Sequence, residues 1–345
     1  MKSKIFMSLA IVLLPLLTFA QSKNTATEVR DYRETDGKII IEMVVNGERA
    51  DFVLDLSGHN AILPEYAEKF HIDTASKGDF RYDTFLYKKV PTAGSVSIGT
   101  MAFGNNVFGN NVSAFVLEEQ PYLRKLGVAG IIGGALFQNV VLTIDSKRKK
   151  ITTSVPYRPS YMKLDHRADM NTLPGSVAIF PVTLDSTALS LVFDTWNNGM
   201  FTLTPADYTK INGTTGSSTE LFNGYAEAVT TNDTKLAGKC TFVKNDLSDV
   251  LVSENKDLPC SVLGTGILNE GIISIDFQKQ KVYFQSFDLA EVKDEVQSGV
   301  EVTVEAGKLN PITRDYFLEH VYDYRAGKEF VFKGDKPVVI DFWAT

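Results

Sequence analysis

The sequence predicts a mainly β protein of two pseudo-symmetric lobes, followed by a linker and an incomplete α/β fragment. Three observations predict it. An aliphatic run ending in an acid and a turn occurs twice, as Phe52-Val53-Leu54-Asp55-Leu56-Ser57-Gly58 and as Leu191-Val192-Phe193-Asp194-Thr195-Trp196-Asn197. Each is followed later by two aliphatics and a glycine, Ile131-Ile132-Gly133 and Val262-Leu263-Gly264. The order and the short spacings agree in both halves, so an internal duplication is far more economical than coincidence.

With 345 residues, 44% hydrophobic and 22% charged, the chain is ordinary globular material with length for two or three domains. Residues 1–20 carry Lys2 and Lys4, an apolar run from Ile5 to Phe19, and small residues ahead of Gln21, which is the pattern of a secretory signal peptide. That run is shorter than the roughly 18 apolar residues that a membrane span requires, and no second run approaches that length. We therefore expect an exported protein, periplasmic or extracellular after cleavage, without a membrane span. Losing the two signal lysines makes the formal net charge of −7 more negative still, which speaks against nucleic acid as a partner. Cys240 and Cys260, the only cysteines, lie twenty apart in an exported chain, where a structural disulfide is expected to persist; two unpaired thiols are the alternative.

The first lobe spans 21–155. Lys38 to Val45 reads as a strand, Asn46-Gly47 as a tight hairpin turn, and Arg49 to Asp55 as the returning strand. The second lobe, 177–287, repeats this with Val177 to Leu184, a turn at Asp185-Ser186, and Leu189 to Asp194. In each half the turn precedes the acid by nine residues, and a proline-led helix start follows, at Pro64 and at Pro205. Twelve residues separate Gly133 from Asp145 and Gly264 from Asp276, each acid closing a strand that turns through lysines. The basic run Lys147 to Lys150 is then a solvated hairpin, not a binding patch. The tandem Phe103 to Val107 and Phe108 to Val112 reads as hairpin growth. Residues 156–176, with three prolines, form the crossover between lobes. Residues 288–311 read as a linker, and 312–345 as a helical pattern leading to the apolar strand Val338 to Trp343, a domain cut short.

Two carboxylates delivered by equivalent loops can share one proton, because like charges a few ångströms apart cannot both ionise cheaply. The ionised member can draw a proton from water while the protonated one hydrogen-bonds the carbonyl under attack, which is hydrolysis without metal or cofactor. The four histidines show no ligand spacing, and no nucleophile elbow or Walker A loop occurs.

On these residues the chain resembles the aspartic peptidases, the retropepsin-like and pepsin-like group seen as two fused lobes. The resemblance covers roughly Gly37 to Phe287. It implies Asp55 and Asp194 as the catalytic pair, Thr195 as the threonine that follows the acid, and Gly133 and Gly264 on strands crossing behind the active loops. The family signature is Asp-Thr/Ser-Gly. The first loop departs from it with Leu56 and Ser57 ahead of Gly58, and the second with Trp196 in place of glycine. Leu56 has no hydroxyl to tie the loops together; Ser57 can supply one if the loop carries an inserted residue. Trp196 sets a large ring where the other loop or the substrate belongs. The family covers its cleft with a hairpin flap, for which the candidates are Tyr82, Phe85 and Tyr87, or Phe222 and Tyr225; half-buried aromatic strands are the plainer reading of these residues. The implied function is hydrolysis of a peptide or unfolded protein.

The stretch Pro337 to Thr345 resembles the lead-in to the redox pair of a thioredoxin-like domain, which implies Asp341 as the buried acid of that family. The alternative reading of the whole is therefore a silent pair of peptide-binding lobes attached to a thiol-disulfide oxidoreductase domain. Cys240 and Cys260 do not form its Cys-x-x-Cys.

Overall fold

The structure, a computed structural model, describes residues 26–73, 82–83, 89–90, 92–118, 120–215, 219–222, 228–232 and 234–287. The chain divides into two units, Met1–Ala290 and Glu291–Thr345. The expected signal peptide, linker and thioredoxin-like fragment with Asp341 lie outside the described residues.

Each lobe begins with a hairpin. Lys38–Val45 turns through Asn46 and Gly47, at φ 48° and 91°, into Glu48–Asp55. Two successive left-handed residues match the twist of the flanking strands, which is what a two-residue hairpin demands. The second lobe repeats this with Val177–Leu184 and Thr187–Phe193, its turn opening on Asp185 at φ 53°.

The sheets repeat as well. The first lobe orders its strands as Arg33–Thr35, Lys38–Val45, Glu48–Asp55, Gly130–Gly133, Ala61–Ile62, Val107–Leu117 and Thr92–Phe103. The second orders them as Asn171–Leu173, Val177–Leu184, Thr187–Phe193, Val262–Leu263, Phe201–Leu203, Asn245–Glu254 and Thr234–Phe242, with Gly213–Thr215 added at the edge. In both, the glycine strand runs parallel to the strand ending at the acid and antiparallel to the short strand after it. Both sheets also close on themselves, through Val44 opposite Ala102 in one and Val182 opposite Phe242 in the other. The mainly β fold of two pseudo-symmetric lobes expected from the sequence is therefore what the chain adopts.

A six-stranded sheet joins the lobes, three strands from each side: Ala26–Asp31, Lys150–Val155, Val141–Asp145, Gly271–Asp276, Lys281–Ser286 and Arg167–Asp169. At its centre Thr143 lies opposite Ser274, their buried hydroxyls 2.5 Å apart. The strand-closing acids behave alike, since Asp145 Oδ1 accepts from the Arg148 amide at 3.0 Å and Asp276 Oδ1 from the Lys279 amide at 2.9 Å. The basic run is the hairpin that the sequence predicts, with Lys149 and Lys150 paired at the surface to Glu34 and Asp31. Of the tandem, Phe103 closes one strand, Gly104 to Asn106 make the turn, and Val107 to Val112 belong to the next strand.

Two details differ from the sequence reading, and one strand adds to it. Ala26–Asp31, at the polar start, is an edge strand paired with Lys150–Val155. The crossover is not merely a connection, for Arg167–Asp169 edges the central sheet and Asn171–Leu173 the second lobe. The Cys240–Cys260 disulfide is absent and both thiols are free. Cys240 sits in the main core, opposite Leu184 and Leu247, while Cys260 packs against Val177, Val192, Leu258 and Val262. Burial pushes these thiols up to about 12 and about 11, so both stay protonated and unreactive at neutral pH. No helix among the described residues is long and apolar enough to cross a membrane.

The central hydroxyl pair makes a measurable contribution. Thr143→Val leaves the Ser274 hydroxyl buried without its partner and is expected to cost about 1–3 kcal/mol. Adding Ser274→Ala is expected to recover part of that loss, and a double-mutant cycle by urea unfolding measures the coupling.

Candidate active site

Asp55 is the last residue of its strand, and its parallel partner is Gly133. The return of the active loop runs against that glycine so closely that a Cβ on Gly133 would stand 2.4 Å from the Gly58 carbonyl oxygen. On Gly264 it would stand 2.2 Å from the Gly199 oxygen and 2.4 Å from the Asn197 oxygen. Any side chain at either place would push an active loop out of position. That is the spatial content of the aliphatic-aliphatic-glycine signature.

The two loops turn alike. The Gly58 amide donates to the Asp55 carbonyl at 3.0 Å, and the Asn197 amide to the Asp194 carbonyl at 3.3 Å. Two residues beyond each acid, the backbone amide returns to the carboxylate: Ser57 N to Asp55 Oδ1 at 3.1 Å, Trp196 N to Asp194 Oδ1 at 2.9 Å. The two turns match residue for residue from the acid to Gly58 and Asn197, so the first carries no inserted residue there, and Leu56 stands where Thr195 stands; the second loop is longer only beyond its turn. The expectation that an insertion lets Ser57 replace the missing threonine is corrected on this geometry.

Ser57 does something else. Its hydroxyl oxygen is 2.8 Å from Asp55 Oδ1 and 2.8 Å from Asp194 Oδ1, and all three residues are buried. The two carboxylate oxygens thus lie no more than twice that distance apart. A hydroxyl has one hydrogen to give. Both contacts are full hydrogen bonds when at least one carboxyl carries a proton and donates it to Ser57, while Ser57 donates to the other. A singly protonated pair satisfies both contacts.

The cross-loop tie comes from one side. Thr195 Oγ1 donates to the Leu54 carbonyl at 2.8 Å and accepts from the Leu56 amide at 2.9 Å, so one buried hydroxyl holds the backbone on both sides of Asp55. Leu56 returns no such tie; its side chain is fully buried in the main core.

Trp196 is the second correction. Its ring does not stand in the way of substrate, being 2% exposed and packed among Ile40, Val53, Leu63, Leu123 and Ile131 of the first lobe. Tyr122 meets it edge-on, with ring centroids 6.0 Å apart. A side chain of the second active loop is thus rooted in the first lobe. The sequence reading missed Lys38, which is fully buried above that ring; its Nζ donates to the Trp196 carbonyl and to Asn198 Oδ1, both at 2.6 Å. The one signal for it was a lysine on the same strand face as the buried Ile40, and a charge opening a strand ordinarily marks an exposed end. Asn60 and Asn197 were also missed. They fasten the loop returns, Asn60 Oδ1 accepting from the Gly133 amide at 3.0 Å and Asn197 Oδ1 from the Gly199 amide at 2.8 Å.

Of the flap candidates, Tyr82 lies on the two-stranded hairpin Tyr82–Asp83 with Lys89–Val90, and Phe222 on Thr219–Phe222 with Ala228–Asn232. Phe85, Tyr87 and Tyr225 lie outside the described residues. His59 is exposed at the end of the first active loop, its ring edge on Phe115.

The tie through Thr195 is the element whose loss should be felt first. Thr195→Val keeps the shape but strands the buried Leu56 amide and Leu54 carbonyl, and about 1–3 kcal/mol is expected for each group left unpaired. A lower urea midpoint at an unchanged slope checks this.

No protein-family model matches the chain, and no curated protein does. Among solved structures, the chain is similar to an aspartic proteinase from Irpex lacteus, at 10% identity over 77% of this chain and 99% of that one, with a TM-score of 0.47. It is also similar to a retropepsin-like aspartic protease from Rickettsia conorii, at 17% identity over 39% of this chain and 94% of that one, with a TM-score of 0.29.

Proposed function

We propose that the chain is an exported aspartic-type peptidase that hydrolyses peptide bonds of an extended peptide or unfolded protein at the Asp55–Asp194 pair. The observation that carries this reading is the Ser57 hydroxyl held at 2.8 Å from one carboxylate oxygen of each lobe. That arrangement favours one proton on the pair, the charge state that acid–base hydrolysis requires.

The chemistry follows from that state. The ionised carboxylate removes a proton from water as the water oxygen bonds to the peptide carbonyl carbon. The protonated carboxyl gives its proton to the carbonyl oxygen, so a neutral gem-diol forms and the pair ends the step with one proton, as it began. In the second step the carboxylate takes a gem-diol proton and the protonated partner delivers its own to the leaving nitrogen. The carbon–nitrogen bond breaks, and a carboxylic acid and an amine leave. The two groups exchange roles within the cycle, so apparent pKa values belong to the pair and not to either acid.

The loops serve this exchange by holding both carboxylates without consuming their charge. Backbone amides of Ser57 and Trp196 donate one hydrogen bond to each acid. Thr195 keeps the first loop from moving relative to the second. Sealing such groups away from bulk water strengthens every charge interaction among them.

With a denatured protein as substrate at acid pH, Asp194→Asn is expected to lower the cleavage rate by at least about a hundredfold, the contribution of a general acid–base group. Ser57→Ala is expected to lower it by about ten- to a hundredfold, since a hydrogen bond to a charged group is worth about 1.5–3 kcal/mol. Cleavage products separated by mass spectrometry measure both. Cleavage unchanged in Asp194→Asn would rule the pair out; peptide binding without hydrolysis in the unaltered protein would favour silent lobes.

A further inference from the structure

Lys38 is the least expected charge in the molecule. It opens the strand Lys38–Val45 and is among the largest fully buried side chains. Burying an ammonium is expensive unless it is paired or well hydrogen-bonded. Its Nζ reaches the second active loop, donating to the Trp196 carbonyl at 2.6 Å and to Asn198 Oδ1 at 2.6 Å and standing 5.0 Å from the centroid of the Trp196 ring. Trp196 and Asn198 flank Asn197 in the turn that presents Asp194, so a cation from one lobe holds the acid-bearing turn of the other.

The local backbone is shaped for this. Gly37, just before Lys38, has φ 72°, and a Cβ there would fall 2.6 Å from Asn198 Nδ2. That same nitrogen donates to the Asp36 carbonyl at 3.0 Å. Asp36, Gly37 and Lys38 thus interlock with Asn198 from both ends of its amide.

The charges that reach Lys38 are Asp194, Asp55 and Asp36; Asp194 also acts on the Cys260 thiol. Burial pulls the Lys38 ammonium down from 10.5 to about 7, against the attraction of the three carboxylates. Lys38 is therefore cationic in the acid range and loses that charge near neutrality.

We propose that Lys38 is a positioning residue for the Asp55–Asp194 pair, its ammonium clamping the Asp194 turn onto the first lobe and supplying the counter-charge that keeps the pair from binding a second proton. The proposal rests on the pair acting as a dyad. A positive charge nearby favours the ionised form of a carboxyl. With Lys38 in place, the doubly protonated, inactive pair forms only at lower pH, so the lysine extends the acid range over which one carboxylate remains available.

The linkage to stability has a definite sign. Between about 7 and 10.5 the unfolded chain holds a proton on this lysine that the folded chain has released. Lys38 therefore opposes folding fully below the lower value, and that opposition fades as pH rises towards the upper one. Lys38→Met is expected to flatten the corresponding rise in unfolding midpoint.

The deciding experiment follows the carboxyl carbons of Asp55 and Asp194 by NMR against pH in the full chain, assigned through Asp55→Asn and Asp194→Asn. In Lys38→Met the lower apparent pKa of the pair is expected to rise by about one unit or more, and Lys38→Arg is expected to hold it near the unaltered value. An identical titration in Lys38→Met overturns the counter-charge. Independent titration of the two carboxyls in the unaltered protein overturns the dyad itself and this proposal with it. Should Lys38→Met fail to fold, the Lys38 Cε shift in the unaltered protein decides. A titration that moves in Asp55→Asn supports the coupling, and one that does not move overturns it.

Discussion

Everything near the centre of this molecule follows from burying two carboxylates, one from each lobe, against a single serine hydroxyl. Asp55 and Asp194 are 2% and 0% exposed, and a pair of like charges so placed is costly unless protons and donors are arranged for it. The first requirement is that the loops arrive together. The parallel pairing of each acid strand with a glycine strand meets it, because the missing Cβ lets each loop return lie directly on the strand behind. The second requirement is donors that cannot drift, and backbone amides two residues past each acid supply them. The joining sheet, with Thr143 facing Ser274, fixes the distance between lobes that these contacts presuppose.

Much of the fold was legible because it rests on backbone rules with strong sequence signatures. Asn46-Gly47 announces a hairpin, prolines open the short helices at Pro64 and Pro205, and the twelve-residue spacing from glycine to acid is repeated because the same turn and strand are repeated. The parts that were not legible depend on partners distant in sequence. Ala26–Asp31 lies in the polar start of the first lobe, where the sequence marks no element, and becomes a strand because Lys150–Val155 offers it an open edge. The cysteines read as a disulfide from their context alone, while the packing that assigns them to separate clusters is invisible in one dimension.

The candidate site divides the same way. Both acids were readable from the ends of apolar strands, and Thr195 from its place beside one of them. Ser57 and Trp196 were visible only as departures from a pattern, and their actual roles required the opposite lobe to be in view. A serine reads as a possible tie until the second carboxylate is found on the far side of its hydroxyl. A tryptophan reads as an obstruction until the pocket formed by Ile40, Leu63, Leu123 and Ile131 is found to receive it.

Those departures are complementary, and this explains how a duplicated unit can lose its symmetry without losing its centre. The first lobe lacks a hydroxyl at Leu56, and the second provides the whole tie through Thr195, which grips the backbone on both sides of Asp55. The second lobe replaces a small residue by Trp196, and the first provides both the apolar pocket for its ring and Lys38 for its carbonyl. The first lobe then provides Ser57, which reaches across to Asp194. Each irregularity in one loop is thus matched by a group from the other, so neither loop would keep its form beside a copy of itself. The two halves have become non-interchangeable, and the asymmetry that obscures the signature in the sequence is the same asymmetry that locks the lobes together at the carboxylates.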